Sequence, residues 1–522
     1  MTDLLTPIDR YLAEQQDSTA VERFARRHDE GLLDSALVEP GLYADRLPLA
    51  RPGAGEQYAF RVDLDQCTGC KSCVAACHSL NGLDEGESWR TVGLLVGSAP
   101  DDPRLQTVPS GCHHCVDPAC LSGCPTNAYE KDPFSGIVRH LDDQCFGCGY
   151  CELTCPYEVP RMNERLGVVR KCDLCADRLE EGEAPACVQA CPTSAITVTV
   201  VDTQQVLAES QDGVLVPGAP DSAITAPTTQ YVSDRPVPED LVAADHHAVR
   251  PSAAHPPLAF MLVMTQLSVG MFVAGLAVRS TPAVGVAAAV GVVALGGAFF
   301  HLGRPSVAWR AVLGVAHSWF SREVVAFSGY AGLAGAHAVG TGTDVLPDAV
   351  RTGVVFGTGV GAAACGIAGV VCSAMIYVVT RRAWWQPRHA LTKFALSTVA
   401  TGSSGAALVF ACSDDPTAWV RTAATVGLCA LVIKMADEAA LLRPGRWQPG
   451  SDLGRTARLL LTPLRTSTRW RFALGVGGAI GLLLVAVGAP TVVLAAALVI
   501  VVAGELIERY QFFVASVAPR MP

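Results

Sequence analysis

The chain has 522 residues, of which 50% are hydrophobic and only 17% are charged, and its formal net charge is −10. This length corresponds to several domains, and so little charge excludes a wholly water-soluble protein. The first 255 residues carry 19 Lys or Arg against 39 Asp or Glu, whereas the remaining 267 carry 20 against 10. The acidic half has no surplus positive charge for a phosphate backbone, so no nucleic-acid partner is predicted. The basic, hydrophobic half is typical of a bilayer domain.

The first segment, residues 1–55, is polar and is predicted to form an N-terminal arm. Leu4, Leu5, Ile8, Tyr11 and Leu12 share one face of a helix-like patch, which favours an arm packed on its own domain or on a partner. The sequence begins without a basic region followed by an apolar one, so no cleavable export signal is predicted.

The second segment, residues 56–200, holds 16 of the 20 cysteines in four groups. The first and third groups are spaced C-x2-C-x2-C-x3-C, and the second and fourth have a longer middle gap. In chain order the groups are Cys67, Cys70, Cys73 and Cys77; Cys112, Cys115, Cys120 and Cys124; Cys145, Cys148, Cys151 and Cys155; and Cys172, Cys175, Cys187 and Cys191. In bacterial two-cluster ferredoxins the fourth cysteine of such a run binds the other cluster of a pair. Two pairs predict an α+β ferredoxin-like domain with two paired-cluster modules and four 4Fe-4S clusters.

Two other uses of these cysteines are less consistent with their spacing. A disulfide framework suits a small secreted domain, but this sequence has no export signal and its cysteines come in regular groups. Structural zinc also uses C-x2-C pairs, yet four-coordinate zinc gains nothing from a third cysteine at x2 followed by x3-C-P. His113 and His114 lie inside the second group, where four cysteines are already present, so we expect them to support the site rather than bind metal.

Residues 111–196 resemble the four-cluster electron-transfer subunit of dimethyl sulfoxide reductase and related molybdopterin oxidoreductases. In that family the first cysteine group pairs with the fourth, and the second with the third. The resemblance therefore implies four ligand sets: Cys67, Cys70, Cys73 and Cys191; Cys77, Cys172, Cys175 and Cys187; Cys112, Cys115, Cys120 and Cys155; and Cys124, Cys145, Cys148 and Cys151. Some relatives replace a cysteine of the third group with tryptophan and carry a 3Fe-4S centre, but Cys148 is intact here.

The third segment, residues 201–256, is rich in Pro, Ser, Thr and Asp and is predicted to be an extended connector. The fourth segment, residues 257–515, is predicted to be an all-α polytopic membrane bundle of eight helices, because a bilayer needs about 20 apolar residues for each span. The predicted spans lie near 258–278, 283–301, 323–340, 352–377, 391–412, 417–435, 472–488 and 490–511. The last two form a tight hairpin if both cross the membrane.

The loops between these spans predict the orientation. Counted together with the adjoining span ends, the loops after the second, fourth and sixth spans carry 15 Lys or Arg, whereas the odd loops carry three. By the positive-inside rule the even loops, both termini and the cysteine domain are predicted to be cytoplasmic in a plasma-membrane protein.

Ionisable residues at membrane depth are candidates for function. His301 ends the second predicted span and Glu323 begins the third, with Arg304 and Arg322 beside them. A histidine and a carboxylate can accept the two protons of a quinol, although from periodicity alone ordinary interfacial side chains are an equal alternative.

The stretch 301–323 is similar to a stretch of the eight-span, haem-free membrane anchor of dimethyl sulfoxide reductase, in which the histidine and the glutamate form the menaquinol site. The resemblance implies quinol binding by His301, Glu323, Arg304 and Arg322. A second motif, GELIERYQFF, resembles a Glu and Arg motif in the last span of such anchors. It adds Glu505 and Arg509 as weaker candidates for quinol binding. Lys434, Asp437 and Glu438 are weaker still, since charge clusters at helix ends are usually structural. No haem is predicted, because no C-x-x-C-H motif and no facing histidine pair occurs.

Together these features predict a fused electron-transfer and anchor subunit that oxidises quinol in anaerobic respiration. Two alternatives remain: the reverse flow, from a dehydrogenase such as a formate dehydrogenase to quinone, and a zinc-containing scaffold without redox activity. The sequence has no P-loop, no dinucleotide fingerprint with an acidic partner and no hydrolytic motif. The resemblance therefore implies a separate catalytic subunit with molybdenum or tungsten bound by two pterins.

Overall fold

The computed structural model describes residues 44–97, 104–343, 347–413, 415–443, 446–448 and 450–522. Most of the predicted N-terminal arm lies outside these ranges. In the part that is described, Arg46 donates hydrogen bonds to the carbonyl oxygens of Val188 (2.9 Å) and Cys191 (2.8 Å). Residues just before position 56 are therefore attached to the cysteine domain.

The cysteine domain combines short strands with short helices. The strands are β1 (Glu56–Asp63), β2 (Thr91–Val96), β3 (Leu105–Ser110), β4 (Tyr129–Lys131), β5 (Val138–His140), β6 (Arg161–Asn163), β7 (Val168–Arg170), β8 (Ile196–Asp202), β9 (Gln230–Val232) and β10 (Val242–Ala243). The helices are α1 (Ser72–Leu80), α2 (Ala119–Gly123), α3 (Tyr150–Thr154), α4 (Ala176–Glu180), α5 (Ala186–Gln189) and α6 (Thr203–Glu209). All but the last of these helices contain or directly follow cysteines of a group, so each group is built as a turn that leads into a helix.

Small sheets frame the cysteines. In the first, β1 pairs antiparallel with β8, from Glu56 opposite Asp202 to Val62 opposite Ile196. Its inward side chains, among them Phe60 and Val198, are at most 4% exposed and form the floor of the cysteine sites. Ala59, on the other face of β1, is also buried and packs against Val201 and Val206, so this strand is covered on both faces. The pairs β2 with β3, β4 with β5, and β6 with β7 are antiparallel hairpins.

Residues 201–256 differ from the predicted extended connector. This segment begins with α6, and β9 then pairs parallel to β1 while β10 pairs antiparallel to β2. Leu241 is buried with Val62, Leu64, Leu95 and Val108 in one apolar cluster. The segment belongs to the cysteine domain because its short apolar stretches complete two sheets whose other strands lie far away in the sequence.

Long helices make up the C-terminal half. In the described residues they are α7 (Pro256–Val278), α8 (Thr281–Gly297), α9 (Trp319–Gly342), α10 (Asp348–Val378), α11 (Pro387–Cys412), α12 (Thr417–Leu441), α14 (Arg465–Ala486) and α15 (Thr491–Val514), and a short helix, α13 (Asp452–Leu461), lies between α12 and α14. Within the same ranges, six helices are long and apolar enough to cross a membrane. The other two long helices, α9 and α12, are more polar and carry buried ionisable residues, Glu323 in α9 and Lys434 and Glu438 in α12.

The cysteine domain rests on the loop between α8 and α9. The backbone N–H of Gly303 donates to the carbonyl of Gly147 (3.1 Å), and that of Arg304 to Phe146 (2.9 Å). A Cβ atom at Gly147 would lie 2.2 Å from the carbonyl oxygen of Gly167 and 3.0 Å from Cα of Gly303. Three glycines therefore allow direct backbone contact between the two halves, which a side chain at any of them would prevent.

Candidate metal centres and membrane site

The cysteine turns are shaped by left-handed backbone conformations and by N–H groups directed at sulfur. Gly69 and Gly147 have φ of 70° and 71° and each lies between the first two cysteines of a group. The N–H of Gly147 donates to Cys145 Sγ (3.3 Å), and the N–H of Leu174 to Cys172 Sγ (3.4 Å). Such donors stabilise negative charge on sulfur, as a metal-bound thiolate requires.

Cysteines of different groups lie near one another in the folded chain, as the crossed pairing implied by the resemblance requires. Cys73 lies within electrostatic reach of Cys67 and Cys191, which means that the side chains are close enough for their charges to interact. Cys77 lies within the same reach of Cys175 and Cys187. Cys155 lies near Cys112, whereas Cys124 lies near Cys145, Cys148 and Cys151. We name the four sets as follows: site I is Cys67, Cys70, Cys73 and Cys191; site II is Cys77, Cys172, Cys175 and Cys187; site III is Cys112, Cys115, Cys120 and Cys155; and site IV is Cys124, Cys145, Cys148 and Cys151.

The four sites follow one another in a row. Site I adjoins site II through Cys73 and Cys187, and site II adjoins site III through Cys172 and Cys112. Between sites III and IV lies the buried ring of Tyr129, within electrostatic reach of Cys120, Cys124 and Cys151. At one end Cys70 of site I is exposed, while at the other end site IV faces the membrane helices.

Site IV is attached to the loop and first turn of α9. Three side chains and one backbone N–H donate to carbonyl oxygens next to Cys124: Ser318 to Gly123 (2.6 Å), His317 to Cys124 (3.0 Å), Ser321 to Pro125 (3.3 Å) and the N–H of Gly314 to Pro125 (2.8 Å). From the other side, the Tyr150 hydroxyl donates to the carbonyl of Ile376 in α10 (3.0 Å). Site IV is thus the cysteine set nearest to the membrane.

The cysteine sets suit iron-sulfur clusters better than single ions. Burial raises the pKa of Cys73 to about 11 and that of Cys77 to about 12, so these thiols ionise only when a metal centre compensates the thiolate charge. Among the described residues, no three His, Cys, Asp or Glu side chains converge closely enough to hold one metal ion. In an iron-sulfur cluster each thiolate binds its own iron, and each four-cysteine set supplies the thiolates for one cluster.

The two histidines of the second cysteine group are structural. His113 Nδ1 lies 2.8 Å from the Thr229 hydroxyl, and the N–H of Val138 donates to His114 Nδ1 (3.1 Å). Burial, and then the positive charge of Arg90, lowers the pKa of His113 to about 3, so its ring is neutral at physiological pH. Both rings help to position the loop that carries the first cysteines of this group, in agreement with the supporting role expected from the sequence.

Glu323 is buried near the start of α9 and is only 6% exposed. Its carboxylate accepts a hydrogen bond from the hydroxyl of Ser373 in α10. Among the described residues, no cation pairs with this carboxylate. Tyr150, whose neighbours Cys148 and Cys151 belong to site IV, lies within its electrostatic reach. Tyr150 therefore lies between site IV and a buried carboxylate that no described cation pairs.

The other predicted residues of this site have different surroundings. His301 ends the turn Ala298–His301, its Nδ1 atom is buried without a partner, and the ring of His255 lies within electrostatic reach. Arg304 donates to the carbonyls of Asp142 (2.9 Å) and Leu166 (3.3 Å). Arg322 donates to Val315 (3.1 Å) and Ala316 (2.7 Å). Both arginines thus hold loops in place, and no hydrogen bond or ion pair joins His301 to Glu323 in the described part of the chain.

Glu505 and Arg509 belong to a separate buried ionic network at the same end of the bundle. Lys434 Nζ contacts Glu505 (2.5 Å) and Glu508 (3.1 Å), and Arg471 donates two hydrogen bonds to Glu438 (2.9 and 3.0 Å). With Lys393 and Arg509, this network joins four cations to three carboxylates across α11, α12, α14 and α15. The extent of the pairing indicates that Glu505 holds helices together.

Sequence reasoning missed several of these partners. Ser373, Lys393 and Arg471 had no motif to mark them, although charged residues inside apolar segments are a general indication of buried pairing. Tyr150 lies within a cysteine group, and only its contact with α10 reveals a connection to the membrane half.

The fold and the sites define a class: an iron-sulfur protein joined in one chain to a helical membrane anchor. Residues 104–201 match the 4Fe-4S dicluster domain, and residues 253–514 match the family of the DMSO reductase anchor subunit (DmsC). The chain belongs to this family and is a fusion of an iron-sulfur subunit with its anchor. It is a multi-pass membrane protein that transfers electrons.

Individual relatives match the cysteine domain. The protein is 37% identical over 154 residues to the B subunit of the anaerobic dimethyl sulfoxide reductase of Escherichia coli (strain K12), an alignment that covers 28% of this chain and 75% of the relative. It is 38% identical over 153 residues to the thiosulfate reductase electron transfer subunit PhsB of Salmonella typhi, covering 29% and 79%. It is also 34% identical over 172 residues to the formate dehydrogenase-O iron-sulfur subunit of Escherichia coli (strain K12), covering 30% of this chain and 57% of that subunit.

Proposed function

We propose that this chain oxidises quinol, with menaquinol as the substrate, at the anchor and supplies the electrons to a separate catalytic subunit that carries molybdenum or tungsten bound by two pterins. The observation that carries the proposal is the position of Glu323: a buried carboxylate without a cation among the described residues, beside site IV. A quinol that gives up two electrons also releases two protons, so its oxidation needs a proton acceptor next to the first electron acceptor.

Four 4Fe-4S clusters would fill sites I to IV. When bound, they supply one-electron transfer along the row. The protein contributes the sixteen thiols, the N–H donors at sulfur and the close spacing of neighbouring sites. Because site IV faces the anchor and Cys70 of site I is exposed, we propose that electrons enter at site IV and leave at site I, where the catalytic subunit docks.

Glu323 and His301 are the proposed proton acceptors. Among the described residues Glu323 accepts only the Ser373 hydroxyl, so one carboxylate oxygen remains available for a quinol hydroxyl. His301 Nδ1 is buried and has no hydrogen-bond partner within the described ranges, and a substrate hydroxyl would satisfy it. Arg304 and Arg322 position the loop that lies between His301 and Glu323 in the sequence, and Glu505 and Arg509 stabilise the packing of the bundle helices.

The eight long helices are proposed to be eight spans. In six of them an apolar composition supports this directly. In α9 and α12 the polar side chains point into the bundle, as buried Glu323, His337, Lys434 and Glu438 illustrate, and intramembrane charges are expected to do so. The cysteine domain lies on the even loops, which carry most of the Lys and Arg, and we propose a cytoplasmic orientation for it and for both termini. A reporter fused after Pro522 should then be active only as a cytoplasmic type.

The reverse flow, from a dehydrogenase to quinone, is the second candidate. The likeness to a formate dehydrogenase iron-sulfur subunit favours it, and the same row of sites serves either direction. Comparison of quinol oxidation with quinone reduction in the purified complex, with its co-purifying catalytic subunit identified, separates the two.

Variants at the membrane site test the proposal. Glu323→Gln and His301→Ala should lower the rate of quinol-driven cluster reduction by about 100-fold or more, since a positioned acid or base contributes about 10²–10⁴. Dithionite should still reduce the clusters fully, because neither residue is a ligand. The double variant should lose little beyond either single one, as residues acting as a unit do.

Two results would reject parts of this function. Normal quinol oxidation by both single variants would show that Glu323 and His301 are not the proton acceptors but ordinary interfacial residues. Metal analysis of anaerobically purified protein should give about sixteen iron atoms per chain. Four zinc ions with little iron would leave only the scaffold alternative.

A further inference from the structure

Lys171 is buried between sites II and III and is only 4% exposed. It follows β7 and precedes Cys172. Its Nζ donates to the carbonyl of Cys172 (2.7 Å), to the carbonyl of Val138 and to Cys112 Sγ (3.7 Å). An ammonium group has three donors and no acceptor, and here each donor has one acceptor. The surroundings of Lys171 thus fit the charged form.

No carboxylate side chain touches this ammonium group within the described ranges. Asp173 is within electrostatic reach, but its Oδ1 accepts the backbone N–H of Cys175 (3.0 Å). A buried charge without a counterion is costly, so Lys171 needs negative charge from elsewhere. The thiolates of sites II and III are the nearest source, since Cys112, Cys120 and Cys172 all lie within its electrostatic reach.

We propose that Lys171 raises the reduction potentials of the centres in sites II and III, an inference that rests on the proposed iron-sulfur function. Reduction adds one negative charge to a centre, and a fixed cation beside it favours the reduced form. The effect is strong inside a protein because the local dielectric is low and salt screens poorly. Net charge and hydrogen bonds to sulfur are established determinants of cluster potentials.

Arg90 lies between sites I and II, as Lys171 lies between sites II and III. It is 3% exposed, lies 4.4 Å above the Phe60 ring, and is within electrostatic reach of Cys73 in site I and of Cys77, Cys172 and Cys187 in site II. Between sites III and IV the corresponding residue is Tyr129, which is neutral. We therefore expect Arg90 to raise the reduction potentials of the centres in sites I and II, and Lys171 those of the centres in sites II and III.

The test is a redox titration of the full chain in its complex, with dithionite and mediators and with each centre followed by electron paramagnetic resonance. Lys171→Met should shift two of the four midpoint potentials to more negative values and leave two unchanged. Arg90→Met should shift a different pair that shares one centre with the first. Lys171→Arg should restore the potentials. Lys71→Met is the matched control, because Lys71 also adjoins a cysteine but is exposed, and it should cause no shift.

Three outcomes would overturn the proposal. The first is Lys171→Met protein with about sixteen iron atoms and four unchanged potentials. The second is an equal shift of all four centres, which would indicate a general structural change. If Lys171→Met loses iron, Lys171→Gln takes its place in the titration, because glutamine keeps a hydrogen-bond donor without the charge. The third outcome is loss of iron from both variants while Lys171→Arg retains it, which would show that Lys171 is needed for cluster assembly. Because this titration uses no quinol, failure of quinol oxidation leaves it unaffected, and a zinc-containing protein would be recognised by metal analysis first.

Discussion

The two buried polar sites of the anchor differ in how completely their charges are paired. Among the described residues, Glu323 has one serine donor and no cation, whereas Glu505 contacts Lys434 (2.5 Å), Arg471 (3.0 Å) and the Ser397 hydroxyl (2.6 Å). Both carboxylates are almost fully buried. Burial alone therefore does not identify a reactive group: the well-paired carboxylate stabilises the fold, and the poorly paired one is the proposed substrate site.

The largest expected effect on stability is that of Glu505→Gln. It removes the carboxylate that pairs with both Lys434 and Arg471 and leaves Glu438 and Glu508 to compensate four buried cations. Breaking one side of a buried pair costs about 3–5 kcal/mol. The matched variant is Glu323→Gln, which removes a charge that no described cation compensates and should change the free energy of unfolding by less than about 1 kcal/mol. The measurement is helix content during SDS titration in mixed micelles. Equal destabilisation by both variants would contradict the comparison.

A smaller loss is expected for Arg471→Lys. The guanidinium of Arg471 donates to both oxygens of Glu438, and an ammonium group cannot reproduce this geometry. Since a hydrogen bond to a charged group contributes about 1.5–3 kcal/mol, the same titration should show a loss of about that size. Arg469→Lys on the same helix is exposed and serves as the control. An unchanged unfolding midpoint for Arg471→Lys would mean that the pairing is not stabilising.

Ser373→Ala tests whether the hydrogen bond to Glu323 orients the proposed proton acceptor. It removes the one hydrogen-bond donor to Glu323 among the described residues but leaves the carboxylate in place. We expect the rate of quinol-driven cluster reduction to fall about tenfold and the unfolding free energy to change by about 1 kcal/mol, the value of one hydrogen bond. Ser404→Ala is the control, because that buried hydroxyl donates to the Ala400 carbonyl of its own helix. A rate equal to wild type in Ser373→Ala would show that Glu323 needs no orientation.

The smallest effect is expected at an exposed pair in the cysteine domain, Arg165 with Asp84 (3.0 Å). The Arg165 guanidinium and then the Asn163 amide hold the pKa of Asp84 below its usual range. The contribution of this pair is therefore present above the pKa of Asp84 in the unfolded chain and is lost as pH falls through its folded value. At neutral pH, Arg165→Gln should lower the free energy of unfolding by less than Ser373→Ala does. The difference in unfolding free energy between Arg165→Gln and the wild type should vanish in acid. A difference that grew in acid would contradict this sign.

Local patterns predicted the features that depend on nearby residues. The cysteine groups, the turns around them and the six apolar helices follow from spacing and composition, because ligand turns and bilayer spans are set within short stretches. The family assignment, which the anchor and dicluster matches confirm, depended on the same residues. The eight-span count was predicted from segments that include the polar helices α9 and α12, and it stays a prediction for those two.

Long-range pairing explains what the sequence did not predict. Residues 201–256 resembled a connector because nothing in that segment indicates that β9 joins β1 or that β10 joins β2. Arg304 and Arg322 were predicted to bind quinol, which stays a prediction, and the backbone carbonyl oxygens that accept their hydrogen bonds could not be read from the sequence. Glu505 and Arg509 resembled a second site for the same reason: Lys434 and Arg471, which pair with Glu505, lie on other helices.

The backbone contact among Gly147, Gly167 and Gly303 has a consequence for assembly. The glycines let the two backbones meet directly, and side-chain hydrogen bonds from Ser318, His317 and Tyr150 join the same two halves. In a single chain the contact forms intramolecularly, and a short tether provides an effective concentration in the millimolar range. Fusion therefore keeps this interface closed however dilute the protein is in the membrane, so the distance from the anchor to site IV does not depend on expression level.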